Sequence, residues 1–456
     1  MASLHSIILA LLIAAEGALS LDLQGALNLA MQRNLTARRS ALGINESRAL
    51  ARQVLGGSLP QITLHGSISR SNLLPETVAG DIYYIPVVDM TTGDPTSYGV
   101  PMQSFGIGTN REGDIMSAGV SLQWPIFAGG RLLYSRKGAR ANLNAAESDA
   151  QGTNVEVAAR VKKAFYGILL MKEVVRVTEL SQRLAKEHLD MVRALYAQGI
   201  VSNLDLLRAE GEVASLEPVL IRARSALSIA QASLVFLLDY PKGTEIEVEG
   251  ELQYDHEDII FDKELAEAIE DRPDLKALRE RYTMAGLNRK IARGAFLPTV
   301  ALFANYDTSR GSYFPPLDKD WIKGYTVGVA ASYPIFDGLA SVGKSQEAHA
   351  LEEKTGLALS ELEGAVRLEV QSAYENIQAS KQAMGAETIN VKAAEKNLAA
   401  ASARYNEGHA TNLEVLDAQA ALRRARLGYI QAVHDCLSGR AELDRAVGRL
   451  PKELSQ

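Results

Sequence analysis

The sequence predicts a mainly α protein with a transmembrane β part, laid out as a tandem repeat. Each copy carries two strands and very long coiled-coil helices. Three observations carry this reading. The chain repeats itself through three landmarks in a fixed order. Each copy holds two segments that alternate apolar with polar residues over the length a tilted strand needs to cross a bilayer. Each copy also holds a proline-free run long enough for a helix of roughly 100 Å.

The landmarks are specific. Ser58-Leu59-Pro60-Gln61-Ile62 returns as Phe296-Leu297-Pro298-Thr299-Val300. Trp124-Pro125-Ile126-Phe127 with Gly129 returns as Tyr333-Pro334-Ile335-Phe336 with Gly338. Tyr196, Gly199 and Asn203-Leu204-Asp205 return as Tyr405, Gly408 and Asn412-Leu413-Glu414. Order and spacing hold across all three, which chance similarity between helices would not produce.

The amino terminus reads as an export signal, residues 1–20. An apolar run from Ile7 to Ala15 is too short to span a bilayer as a helix, and Ala18-Leu19-Ser20 offers small residues at the positions a signal peptidase inspects. A buried first helix is the alternative. The first repeat covers 21–240, opening with a helix from about Leu21 to Leu55 and ending in a helical hairpin over 131–238. An acidic linker at 241–262 carries a small strand element at Ile246 and Val248. The second repeat covers 263–456, with its helical hairpin over 339–449. Beyond the signal no stretch of some eighteen apolar residues is apparent, so any crossing of a membrane falls to strands in a closed barrel.

The expected strands are 61–69 and 116–124 in the first copy, 299–306 and 325–333 in the second. Ile62, Leu64 and Ile68 share one face, while Thr63, His65 and Ser67 share the other. Apolar on one side and small or polar on the other is the pattern of a barrel wall around water. Trp124 and Tyr333 fall at strand ends, where aromatic side chains sit at membrane interfaces. Four strands cannot enclose a pore, so a pore requires several chains to pool theirs. A soluble sandwich with one wet face is the competing reading. Residues 72–114, rich in Gly, Pro and Tyr, read as a long surface loop, and Asp307 to Gly324 as a shorter one.

The helical runs extend from Arg131 to about Ala197 and from Leu339 to about Asn406, with seams such as Leu180, Leu184 and Met191 at coiled-coil spacing. Gly199 and Gly408 supply left-handed closures at the far ends. Ser202 with Asp205, and Thr411 with Glu414, then read as capping boxes that start the returning helices. Asp417 lies one turn beyond Glu414, and its counterpart in the first repeat is Arg208. In a rotationally symmetric assembly one such acid becomes a cation-favouring ring. Otherwise it is a solvated surface acid.

Enzyme chemistry finds little support. Gly338 to Ser345 matches the phosphate-loop pattern, yet the aligned first copy has Tyr134 and Ser135 where Gly343 and Lys344 stand, and no parallel α/β sheet follows. The seven histidines lack metal spacing, and Cys436 is the one cysteine, so no internal disulfide can form. A net charge of -7 gives no reason to expect nucleic acid. No catalytic residue, metal or cofactor is expected.

The paired Leu-Pro and aromatic-Pro-Ile-Phe strand motifs and the paired Tyr-x-x-Gly hairpins resemble the TolC-type outer-membrane efflux proteins, over nearly the whole mature chain. The resemblance implies a homotrimer whose protomers share one 12-stranded barrel in outer-membrane lipid. Above it would stand a helical tunnel in the periplasm of a Gram-negative-type cell. It implies a passive exit duct for efflux or type I secretion, fed by a periplasmic adaptor protein and an inner-membrane pump. By position Tyr405, Glu414, Asp417 and Asp205 match the family's periplasmic gate, and Gly199, Ser202, Gly408 and Thr411 form the tips that meet the adaptor. The family's gate arginine does not carry over, since its place is Ala410, next to His409. Helix packing or a His409 interaction would then hold the tip. A periplasmic coiled-coil adaptor, which has long helical hairpins but no membrane-length strands, is the competing function.

Overall fold

The computed structural model describes residues 19–74, 77–83, 86–88, 95–98, 102–107, 111–255, 258–311, 321–451 and 454. Nearly all of the expected export signal lies outside them. The chain divides into a helical unit (residues 1–48, 141–284 and 352–456) and a strand-bearing unit (49–140 and 285–351).

The helical unit begins with β1 (Leu19–Leu21), whose parallel partner is β8 (Ile246–Val248) in the linker. Ile246 and Val248 are buried and Glu247 between them is exposed, as the alternation predicts. A cut after Ser20 would leave Leu21 alone of the three paired positions of β1.

The single helix expected over 21–55 is instead two, α1 (Leu23–Arg33) and α2 (Leu35–Gly56), which runs on into the strand-bearing unit. Asn34 causes the break. Its Oδ1 accepts the amides of Thr36 and Ala37 (2.9 and 3.2 Å), capping α2, while its Nδ2 donates to the Leu237 carbonyl at 2.8 Å. The second repeat breaks at the equivalent place. There α5 (Phe261–Asp271) stops at Arg272, and α6 (Pro273–Arg293) opens with proline, which bars its predecessor from helical geometry.

The long helices follow the sequence closely. α3 (Arg131–Ala197) and α7 (Ala340–Asn406) have 67 residues each, and their returning partners are α4 (Asn203–Leu237) and α8 (Asn412–Val447). α4 corrects one expectation. It contains an eighteen-residue window of mean hydropathy 1.3, apolar enough by length and composition to cross a membrane. Its apolar residues divide between two faces. Leu216, Leu220 and Leu234 are buried, whereas Ile221, Ile229 and Phe236 are exposed.

One core of this unit gathers Leu27, Val161, Ile168 and Leu234 around β1 and β8, and a second gathers Leu275, Val366, Ile377 and Leu443. Beside the second, Arg449 binds Glu267 (2.7 and 2.9 Å) and Glu264 (2.9 Å), and Arg272 binds Glu369 at 2.6 Å. These pairs tie α5 to the end of α8, and the break before α6 to α7.

The strand-bearing unit holds a four-stranded antiparallel sheet in the order β10-β9-β7-β2. The strands β2 (Gln61–Leu74), β7 (Arg111–Ala128), β9 (Thr299–Arg310) and β10 (Ile322–Ser332) are mostly longer than the alternating cores that announced them. Register puts Leu64, Val120, Tyr306 and Tyr325 in one row on one face. Ile62, Leu64, Ile68, Tyr325 and Val327 on that face are at least 65% exposed, so a broad apolar surface is uncovered within the chain. The opposite face carries Thr63, His65, Ser67, Ser117, Ser121, Asn305 and Asp307.

The described segments within 72–114, a range expected as a long surface loop, are paired strands. Within them β3 (Thr77–Tyr83) pairs with β6 (Met102–Ile107), and β4 (Pro86–Val88) with β5 (Pro95–Tyr98), all antiparallel. Short β-prone segments between the glycines and prolines pair as successive hairpin rungs.

Candidate functional site

The two hairpin tips are built alike. Gly199 and Gly408 adopt φ of 72° and 76°. At each, the glycine amide bonds back three residues and the next amide bonds back five. These bonds are Gly199 to Tyr196 and Ile200 to Leu195 in one tip, Gly408 to Tyr405 and His409 to Arg404 in the other. Both capping boxes form, Ser202 with Asp205 and Thr411 with Glu414. The amide and hydroxyl of Thr411 hold the Glu414 carboxyl below the usual carboxylate range.

Alike in backbone, the tips differ in side chains. Tyr196 is 42% exposed, whereas Tyr405 is 8% exposed and packs with Leu189, Val192, Ala209, Val415 and Ala418. Its ring leans on the imidazole of His188, centroid to centroid 5.2 Å. His188 Nε2 lies 2.6 Å from Asn412 Oδ1, and Asn412 Nδ2 donates to the Asp205 carbonyl at 2.9 Å. Because the amide group of Asn412 is already donating, its oxygen must accept, so His188 carries its proton on Nε2. Four helices thus meet, α3 through His188, α4 through Asp205, α7 through Tyr405 and α8 through Asn412. Arg423 on α8 adds a link to Glu212 on α4 at 2.9 Å.

Of the residues expected at a gate, Tyr405 and Asp205 come together. Burial first, then the Asp205 charge, pushes the Tyr405 phenol upward. No hydrogen bond joins them, and the buried Tyr405 hydroxyl has no partner. Asp417 stays exposed, as does Glu414. Arg404 reaches 3.6 Å from Glu414 and donates to the His409 carbonyl at 2.9 Å. Around these polar links the two hairpins also pack through apolar side chains, Ala410 included. His188 was not singled out from the sequence, and Asn412 stood out there as a repeat landmark alone. The available signal was a histidine on the apolar seam between Leu184 and Met191.

Trp124 lies within β7, short of its end at Ala128, donates to the Ser58 carbonyl at 3.2 Å and is 42% exposed, while Tyr333 directly follows β10 and is 60% exposed. The phosphate-loop match fails on geometry. Asp337 accepts the Ser341 amide (2.8 Å) and hydroxyl (2.5 Å), so a carboxylate already occupies the helix start that a phosphate would need. Among the described residues no cluster of three His, Cys, Asp or Glu could hold a metal.

Comparison with known proteins agrees with this architecture. Outer membrane efflux protein BepC of Brucella suis biovar 1 is 24% identical over 445 residues, which span 95% of this chain and 87% of that protein. Cobalt-zinc-cadmium resistance protein CzcC of Cupriavidus metallidurans is 25% identical over 71% of this chain and 75% of its own. The crystal structure of the outer membrane protein VceC from Vibrio cholerae superposes with a TM-score of 0.77 at 18% identity, covering 94% of this chain and 96% of that one. The open-state MtrE outer membrane channel of Neisseria gonorrhoeae gives 0.74 at 18% identity, over 94% and 89%. The sequence pattern of the Outer membrane efflux protein family matches residues 26–239 and 265–449, one segment per repeat, and the chain belongs to that family.

Proposed function

We propose that this chain is the outer-membrane exit duct of a tripartite efflux or type I secretion system, a passive conduit with no catalytic step. The observation that carries this is the unfinished sheet. Its edge strands β2 and β10 run antiparallel to one another, so copies of the chain can join edge to edge without breaking the antiparallel order. Three copies would give a closed 12-stranded barrel. Its uncovered apolar face would meet lipid, its polar face would line water, and Trp124 and Tyr333 would sit at the membrane interface.

In this reading the helical hairpins stand in the periplasm. Tyr405, Asp205, Glu414 and Asp417 lie at the gate, while Gly199, Ser202, Gly408 and Thr411 shape the tips that a periplasmic adaptor meets. An inner-membrane pump supplies the energy. The relatives' names support the class, and cargo choice is assigned to the pump. The test is the state of the purified full-length chain. A trimer that needs detergent and conducts ions across planar bilayers supports the proposal. A monomer that remains soluble without detergent overturns it.

A further inference from the structure

We propose that His188 and Asn412 are positioning residues that latch the two hairpin tips of one protomer together, and that acid releases the latch. The proposal rests on the reading of these tips as the periplasmic entrance. Its geometry is the chain from His188 Nε2 through the Asn412 amide to the Asp205 carbonyl, which ties α3, α8 and α4 beneath the Tyr405 ring. His188 and Asn412 are 5% and 3% exposed, so this is a buried bridge. Breaking it leaves buried polar groups unpaired, and forming it requires both hairpins side by side.

The bridge exists in one copy of the repeat only. Aligning Tyr196 with Tyr405 puts Asn397 opposite His188 and Asn203 opposite Asn412. Asn397 and Asn203 are both exposed, as is Tyr196. The second hairpin therefore brings its tyrosine and asparagine inward onto the first hairpin's long helix.

Acid sensitivity follows from what surrounds the imidazole. From α4 comes Asp205, whose carboxylate is turned to Ser202 in the capping box. Tyr405 comes from α7, and neutral Asn412 with the Thr411-bound Glu414 from α8. On its own helix Lys186, Glu187 and Asp190 are exposed. No carboxylate is bonded to His188, and burial depresses its proton affinity below the ordinary value of 6.5, with the Asn412 bond opposing. A latched state that binds the proton more weakly than an unlatched one is favoured while the imidazole is neutral. The bias toward closure is thus complete above about pH 6.5 and is lost as pH falls below it.

The test uses the full-length protein and two readouts. The first is hydrogen exchange in tip segments 196–206 and 405–415, corrected for the intrinsic pH dependence of exchange. Protection should fall several-fold between about pH 7.5 and pH 5.5. His188→Gln, which can still donate to Asn412 but cannot be protonated, should keep its protection at both values. Asn412→Ala should be deprotected already at neutral pH. The second readout is planar-bilayer conductance, which should rise with acid in the parent and not in His188→Gln. An acid response of tip exchange that persists in His188→Gln, or neutral-pH protection unchanged in Asn412→Ala, overturns the latch. A chain that shows the exchange pattern but never conducts would instead keep the latch and reject the duct.

Discussion

His65 and Asp307 join hands over a glycine. His65 on β2 and Asp307 on β9 lie two strands apart, yet Nε2 and Oδ1 are 3.0 Å from each other, because Gly119 on the intervening β7 has no side chain to separate them. The pair links the strand segments of the two repeats on the polar face of the sheet. A Cβ on Gly119 would overlap Asp307 Oδ1 and lie 2.8 Å from His65 Nε2 and 2.9 Å from the Tyr306 carbonyl oxygen.

Gly119→Ala should therefore break this link and strain the sheet, because the Tyr306 backbone cannot move aside as a side-chain end can. Overpacking of this kind costs about 1–3 kcal/mol. Gly66→Ala is the control, since a Cβ there meets only the Ser117 carbonyl oxygen at 3.5 Å, an ordinary contact. Thermal unfolding in detergent should show a clear loss for the first variant and little for the second. Equal stability of the two variants would remove the spanning pair from the account.

Gly408→Val tests the hairpin tip by backbone alone. A Cβ at Gly408 would meet nothing within 4 Å, so the penalty comes from φ of 76°, which a β-branched residue resists at a cost of about 1–2 kcal/mol. Gly408→Asn should be far milder, because asparagine tolerates the left-handed region. Export assays and membrane extraction should show Val impairing transport while the chain still inserts. Normal export in the Val variant would mean that the turn geometry does not matter to function.

The sequence was most legible where structure is set locally. α3 and α7 could be bounded within a residue because proline is absent and Gly199 and Gly408 close them. The faces of β2 and β7 followed from strict alternation. What escaped depended on partners far along the chain. Asn34 looks neutral within a helical run, and its break is fixed by the carbonyl of Leu237. The strand rungs within 72–114 carry too many turn residues to announce themselves. His188 acquires its role from Asn412, 224 positions away, and no local pattern in a seam of leucines reveals such a partner.

Arg449 makes the pH dependence of the helical unit predictable. Hydrogen bonding to Arg449 is the leading cause that holds the Glu267 carboxyl below its ordinary value of 4.5, against opposition from burial. A carboxylate depressed in the folded state contributes stability above its unfolded pKa and loses it as pH falls through the folded one. Arg449→Met also strands Glu264, whose side chain is 10% exposed. The expected cost near pH 7 is about 3 kcal/mol, the lower range for breaking a largely buried pair. Unfolding measured from pH 7 downward should show that difference steady to about pH 5 and shrinking below about 4.5. A difference independent of pH would assign the loss to packing of the arginine stem.

Glu414 and Asp417 offer the sharpest test of the proposed gate. Glu414 is engaged by Thr411 in the cap and lies 3.6 Å from Arg404, whereas Asp417 is exposed one turn further on and forms no ion pair among the described residues. Three copies about one axis would concentrate six carboxylates at the entrance, and rings of acids at a constriction attract multivalent cations. Glu414→Gln with Asp417→Asn keeps size and the capping acceptor while removing the charge. Planar-bilayer recordings with divalent or trivalent cations added on the periplasmic side should show block weakened in the double variant, with single-channel conductance in simple salt little changed. Asp417→Asn alone should account for most of the effect, since the charge of Glu414 is already shared with Arg404. Block that is unaltered in the double variant would place these acids on the solvated outer surface of the tip, away from the conducting path.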